Sequence, residues 1–524
     1  MEIHGNLVDI HKRKISSSRI LIEDGRIAAI EPNSHRGKGF ILPGFVDAHI
    51  HIESSMLIPS AFARMVVRHG TIATVSDPHE IAAVLGISGV EYMIENGRKS
   101  PFKFYFGAPS KQINLGQVRE LLEKPEIKFL CEVMDVSAVI QDDPEILDKI
   151  AIAKGLGKRV DGHAPGTFGD DLKKYVSAGI ETDHECTTLT EAREKHALGM
   201  KILVRESSIS KDLNTLFPLM LEDPENCMLC TDHLLPNHLM LGHINLLVRR
   251  AVQKGMDPLD AITVASRNPV LHYGLEVGLL RIGDLADFII VENLDSFRVL
   301  ETYINGECVF KESPVLPPIK SPIVNQFHAS EKKPTDFAVP AQDQDLHVIE
   351  VIDGKLFTKH LTLPPKIENN LVIADPARDI LKIVVVNRYH DAPVAIGFIK
   401  NFGLKKGALA SSVAHDAHNI VAIGLRDEDL CEVVNALIKT KGGIALTSGG
   451  QASLLPLPIA GLMSNLEGEE VAVRYSNLDQ AAKNLGCTLQ NPFMMLSFMT
   501  DLAIPELKMS DKGLFDYKSA SIIR

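Results

Sequence analysis

The chain has 524 residues, 45% of them apolar and 23% charged, the balance of an ordinary folded protein with a large core rather than a disordered one. Its formal charge of −12, without a long Lys/Arg run, argues against nucleic acid or an anionic membrane as partner, and His11-Lys12-Arg13-Lys14 reads as a solvated turn. No stretch reaches the ~18 apolar residues of a membrane span, the start from Met1 to Ile20 has no apolar leader segment, and seven scattered cysteines make no disulfide framework, so a reducing cytoplasm is the expected compartment.

The predicted elements begin with a hairpin. Arg19–Glu23 and Arg26–Ile30 flank Asp24-Gly25, and residues 1–41 read as short strands. Residues 42–275 alternate apolar runs with helical stretches. The runs are Phe45–Ile52, Thr71–Asp77, Lys103–Ala108, Ile127–Asp135, Arg159–His163, Ile180–His184, Met200–Arg205 and Asn226–Asp232. Each is bounded by Gly, Pro, Asp or Asn, and eight β-α units predict an α/β protein built on a (β/α)8 barrel. A strand pattern returns at Gly283–Val291 and Val299–Val309, with Asn305-Gly306 as its turn. Residues 276–312 are therefore expected to join 1–41 in one small composite β-domain made from both flanks of the barrel. Six prolines among charged residues make 313–345 a linker or an extended crossing segment. Beyond it, Leu381–Asn387, Ile420–Leu425 and Gly443–Thr447 read as strands and Asp427–Thr440 as a helix, so 346–524 is expected to be a C-terminal α+β domain.

The chemistry concentrates at run ends. On a strand, residues i and i+2 share a face, so His49 and His51 converge as two imidazoles suited to a divalent metal. Alone, the pair could equally be two unrelated polar histidines. His163, His184 and Asp232 end three further runs and Glu132 lies near the end of a fourth, and barrel enzymes build their sites at the C-terminal ends of strands. Helix capping accounts for Glu132 or Asp232 singly but poorly for three separate histidine positions. Six protein ligands are too many for one tetrahedral ion, which points to two. His49, His51 and Asp232 are expected to hold one ion, His163 and His184 the other, and Glu132 to bridge them. The nucleophile is then expected to be a hydroxide between the ions, with Asp232 both ligand and base. Cys227 and Cys230 are better explained as small apolar filler of a barrel strand than as a zinc-thiolate pair, because Asn226 stands where that motif needs proline.

The stretch Leu42-Pro43-Gly44-Phe45-Val46-Asp47-Ala48-His49-Ile50-His51-Ile52-Glu53-Ser54-Ser55 resembles the first strand of the adenine deaminases of the amidohydrolase superfamily. Ser76-Asp77-Pro78-His79-Glu80-Ile81-Ala82, Glu132-Val133-Met134-Asp135, Asp161-Gly162-His163-Ala164-Pro165-Gly166 and Cys230-Thr231-Asp232 look like further motifs of that family. So do Ser412 to Asn419 and Leu455 to Ser464 near the C-terminus. HxH marks only the superfamily, whereas HIESS, DPHEIA and the two late motifs are far more specific. Two positions depart from the family pattern: His233 stands where a second acid often follows Asp232, and Ser207 where glycine usually follows Glu206.

The resemblance implies an α/β metal-dependent hydrolase that converts adenine to hypoxanthine and ammonia by hydroxide attack on C6, with manganese(II) or iron(II) ions rather than zinc. It implies a small-molecule substrate, a place in purine salvage, a cytoplasmic homo-oligomer, and neither nucleic acid nor membrane as partner. Protonation of the ring needs a further acid. Glu80 and Glu53 are the candidates, Glu80 against a plain role at a helix N-terminus. Glu53, two residues beyond His51 and expected on the same strand face, could contact substrate or instead orient a ligand histidine. Arg205 and Glu206 could bind the purine edge or simply begin a helix. His415, Asp416 and His418 form a polar cluster that fits a second metal site, a closing loop or a polar surface. Two other readings are a hydrolase of another purine or a cyclic amide, and a non-catalytic barrel. Cyclic-amide hydrolases commonly bridge their metals with a carboxylated lysine, and here Glu132 stands in that role; non-catalytic relatives tend to lack the ligands that this chain keeps.

Overall fold

The computed structural model describes residues 1–33, 39–415 and 417–523. The chain divides into two compact units, residues 1–82 with 86–320 and residues 321–524 with 83–85.

In the first unit, eight parallel strands run Phe45–Ile50, Thr71–Ser76, Lys103–Ala108, Ile127–Val133, Arg159–Gly162, Thr182–Asp183, Lys201–Arg205 and Cys227–Cys230. They pair in chain order, the first five together and the last three together. Backbone bonds join the two groups on both sides. Glu181 N–H donates to Val160 O at 3.0 Å; His51 N–H donates to Asp232 O at 3.0 Å and Asp232 N–H to His49 O at 2.9 Å. The sheet therefore closes into a barrel. Its first two strands are buried at every residue, as expected where helices cover a parallel sheet. The helices between strands carry ordinary start signals. In Leu115–Leu122 the Asn114 side chain accepts from Gln117 N–H while Gln117 returns the bond, and Val118, Leu121 and Leu122 form the buried face.

Strands from both flanks of the barrel make one eight-stranded sheet, in the order Ser313–Pro314, Glu307–Lys311, Val299–Ile304, Phe288–Val291, Phe40–Pro43, Glu2–Asp9, Lys14–Glu23 and Arg26–Pro32. Leu7, Ile20, Ile41, Phe288 and Tyr303 are among its buried residues. Phe40–Pro43 passes into the first barrel strand through Gly44, where a Cβ would lie 2.4 Å from the Ile72 side chain.

The second unit is α+β. Its eight-stranded sheet runs Lys359–Leu363, Leu346–Glu350, Ala395–Lys400, Ile380–Val386, Ile420–Gly424, Ala408–Ser411, Gly443–Thr447 and Ser453–Pro456, antiparallel except for the pairing of Leu346–Glu350 with Ala395–Lys400. The helix Asp427–Thr440 buries Leu430, Val433, Val434 and Leu437 against it. The proline-rich stretch takes part in this packing: Phe327 and Phe337 lie in the same apolar cluster. His415 and His418 are buried, with ring centroids 5.6 Å apart, so they are not surface residues. Asp416 lies outside the described residues.

Candidate metal centre

The barrel closure sets the first group of donors. His49 and His51 project from the end of the first strand with Nε2 atoms 3.2 Å apart. Asp232 Oδ1 lies 3.3 Å from His51 Nε2 and 3.7 Å from His49 Nε2. All three residues are buried. Asp232 holds φ = 56°. For a residue other than glycine this costs about 1–3 kcal/mol, and the two backbone bonds to the first strand hold it there.

Glu132, from the fourth strand, divides its oxygens. Oε1 faces His51 Nε2 at 3.7 Å, while Oε2 faces His163 Nδ1 at 2.9 Å and His184 Nε2 at 3.0 Å. The His49 and His184 rings stack at 4.0 Å and so bring the two halves together. Nitrogen and oxygen donors about 2.1 Å from one tetrahedral ion stand about 3.4 Å from each other. The separations of 3.2 to 3.7 Å within the first group match that spacing. Asp232 Oδ1 is buried and accepts no hydrogen bond, a state that costs about 1–3 kcal/mol unless a cation or donor meets it. The donor set thus fits divalent ions.

The buried carboxylates and imidazoles shift one another: burial lowers His51, His163 and His184, but the facing carboxylates more than reverse it, taking His51 and His163 up to about 9 and His184 above its ordinary value. Burial pushes the Glu132 and Asp232 carboxyls up. For Glu132 the surrounding His163 and His184 more than reverse this, and for Asp232 His233, His51 and Arg205 do so, leaving both well below the usual carboxylate range. Burial, with His184 and His51 beside it, holds His49 well below its ordinary value and keeps it neutral, the form that ligates metal.

The remaining expected residues fall in different places. Glu80 is buried in the first turn of the helix His79–Leu85, and its neighbour Glu53 is pushed up to about 7 by burial and by Glu80. Glu53 does not share a strand face with His51. The strand ends at Ile50, and Ile52–Ser55 is a short 3-10 helix from which Glu53 Oε1 accepts the Ile81 N–H at 3.2 Å. Arg205 reaches the centre, but its guanidinium faces protein: Asp232 Oδ2 at 3.2 Å, Asp212 Oδ2 at 3.0 Å, and Glu185. Glu206 is turned to a helix start, accepting from Leu213 N–H at 3.0 Å and pairing with Arg250. Cys227 and Cys230 are buried free thiols in the eighth strand.

Three neighbours escaped the sequence reading of the site. His79 Nδ1 lies 3.5 Å from Glu132 Oε1 and 3.3 Å from Asp77 Oδ1. His233 stacks on His51 at 4.5 Å, with its Nδ1 2.7 Å from Ser54 Oγ. The signal for Asp77 and His79 was their place at the end of the second run; for His233 it was the departure from the family pattern.

The sequence profile of the amidohydrolase family matches residues 40–309, and that of the adenine deaminase C-terminal domain matches residues 355–521. The chain is 51% identical to the adenine deaminase of Methanosarcina mazei over 98% of this chain and 97% of the relative. It is 50% identical to the adenine deaminase of Sulfurovum sp. (strain NBC37-1) over 100% and 99%, and 46% identical to that of Borreliella burgdorferi over 99% and 98%. The chain therefore belongs to the amidohydrolase family and, within it, to the adenine deaminases.

Proposed function

We propose that the chain hydrolyses adenine to hypoxanthine and ammonia, with the chemistry in the barrel of residues 42–275. The observation that carries the substrate is the near full-length likeness to proteins named adenine deaminase, 51% identical over 98% of the chain. Two divalent ions, manganese(II) or iron(II), belong to the proposal. His49, His51 and Asp232 would hold one, His163 and His184 the other, and Glu132 would be shared between them. Bound divalent ions lower the pKa of water from 15.7 to about 7, so hydroxide is supplied at neutral pH.

The chain's own groups then handle protons. Water's oxygen joins C6, and the bond from C6 to the exocyclic nitrogen breaks. Asp232, held ionised beside Arg205, takes the proton of the nucleophile and returns it to the departing nitrogen. Glu80 delivers a proton to ring N1 and regains the one released when water becomes hydroxide, and Glu53 beside it, with its value near 7, keeps a proton close at hand. Arg205 acts on Asp232 rather than on the purine edge in this reading. The enzyme works in cytoplasmic purine salvage as a homo-oligomer; all seven cysteines are free thiols, which suits a reducing compartment. No described helix is long and apolar enough to cross a membrane.

The test is to load the protein with manganese(II) or iron(II) and offer adenine, adenosine, guanine and cytosine, following ultraviolet absorbance and ammonia. Release of ammonia from adenine in preference to the others is expected. Absence of adenine turnover with either metal refutes the proposal.

A further inference from the structure

We propose that Lys195, with Asp183 and Glu191, is a positioning clamp that fixes the separation of His163 and His184. The clamp rests on the reading that these two histidines hold the second ion.

Lys195 lies on the helix Leu189–Ala197 and is fully buried. An ammonium has three donors, and all three are used: on Ala164 O at 2.6 Å, Asp183 Oδ2 at 2.9 Å and Glu191 Oε1 at 2.9 Å. The two carboxylates pass the restraint to backbone. Asp183 accepts the Ala164 N–H at 2.8 Å and the Glu185 N–H at 3.2 Å. Glu191 accepts the Gly166 N–H at 2.8 Å and the Thr187 N–H at 3.2 Å. Every backbone group in this network belongs to one of two segments, 164–166 or 185–187. The first begins immediately after His163 and the second immediately after His184.

The fifth and sixth strands must also approach closely at this point. Gly162 permits it, since a Cβ there would lie 2.3 Å from Thr182 O. Packing lets the strands come together, and the buried ions fix how far their ends separate. A buried ion cluster is weak evidence for stability, because apolar replacements of similar volume are often neutral or stabilising. What this cluster does supply is a shared tether for two loops that each carry one ligand. None of its three charged side chains donates to or accepts from His163 or His184 in the described structure, so its restraint on the metal ligands passes through backbone position, while the Asp183 charge also acts on both imidazoles through space. His163 has a separate restraint, its own N–H donating to Tyr175 Oη at 2.9 Å.

The experiment titrates full-length metal-free protein with manganese(II), following free ion and the exchange-coupled signal of an ion pair by electron paramagnetic resonance. Wild type, Lys195→Met and Glu191→Gln are compared, with thermal unfolding alongside. Outer partners of metal ligands typically contribute 10–100-fold in affinity. Lys195→Met is expected to weaken the second ion by about that factor, leave the first within about threefold, and lose the coupled signal at two equivalents. Glu191→Gln keeps the Lys195–Asp183 pair and is expected to weaken the second ion by a smaller factor. It also carries the test if Lys195→Met does not fold. Wild type with two ions and variants that match it overturns the clamp alone. Equal weakening of both ions that tracks the loss of thermal stability also overturns it, because that is the mark of a merely structural cluster. A wild type that takes one ion overturns the two-ion reading and the clamp with it.

Discussion

Glu132→Gln separates a bridging carboxylate from a residue that merely lines the barrel. Glutamine keeps the shape and one acceptor oxygen but loses the charge, and its NH2 must replace one of the two oxygens. If it replaces Oε2 it points at His163 Nδ1 and His184 Nε2, now 2.9 and 3.0 Å away, and donates to the nitrogens that ligation requires. If it replaces Oε1 it does the same toward His51 Nε2, 3.7 Å away. Either way one group of donors is blocked and the other loses half a shared negative charge. Partners outside the ligand shell already contribute 10–100-fold, so about 100-fold weaker binding is a floor for this change. At a metal concentration 100 times the wild-type Kd, each site stabilises the fold by about 2.7 kcal/mol; a Kd raised 100-fold leaves about 0.4. The variant is therefore expected to retain less than one ion after equilibrium dialysis, and to gain about 2 kcal/mol less per site on manganese(II) addition in thermal unfolding. Retention of both ions with affinities within threefold of wild type refutes the bridging role.

Glu80→Gln is expected to keep its metal content and lose about 10²–10⁴-fold in adenine turnover, the usual worth of a general acid. An active variant leaves Glu80 with a helix-start role only. A pH effect is expected away from the centre. His69 is buried, its Nε2 donating to Leu239 O at 2.7 Å, and burial lowers its pKa from 6.5 to about 3. The folded state thus refuses a proton that the unfolded chain accepts. This contribution to stability is fully present above pH 6.5 and is lost as pH falls toward 3, at about 1.4 kcal/mol per pH unit. His69→Gln, which keeps a donor for Leu239, should show a slope between pH 6 and 4 shallower by about 2–3 kcal/mol in total in urea unfolding of the metal-free protein. Parallel slopes contradict this account.

The barrel and the gathering of the candidate ligands at one end of it were legible because their signals are local. Strand periodicity puts His49 and His51 on one face, and the other ligands stand at the ends of apolar runs. Glu53 shows where that logic stops. The alternation through Ile50, Ile52 and Ser54 reads as continuing strand, yet the chain turns into a 3-10 helix after His51, and Met56 takes φ = 60° to leave it. Lys195 was invisible for another reason. A lysine in Glu-Lys-His on a helix reads as solvated charge, and only the tertiary fold brings Asp183 beneath it. Glu206 could not be assigned from sequence because its partner Arg250 lies 44 residues away. Several strands of the second unit were missed because they are short and gain their order from neighbours distant in the chain, as where Leu346–Glu350 pairs with Ala395–Lys400.

The seam between the first and eighth strands has a consequence for assembly. His49 and His51 lie near one end of the barrel sequence and Asp232 near the other, so their donor group exists only after the ring has closed. In the proposed centre, an ion held by all three is a clasp across that joint. It ties residues 181 positions apart, from His51 to Asp232, and has nothing comparable to grip in a chain whose barrel is open. With such an ion in place, metal supply would add to the backbone bonds that keep a finished barrel shut. Loss of the ion would then leave that joint to its backbone bonds alone.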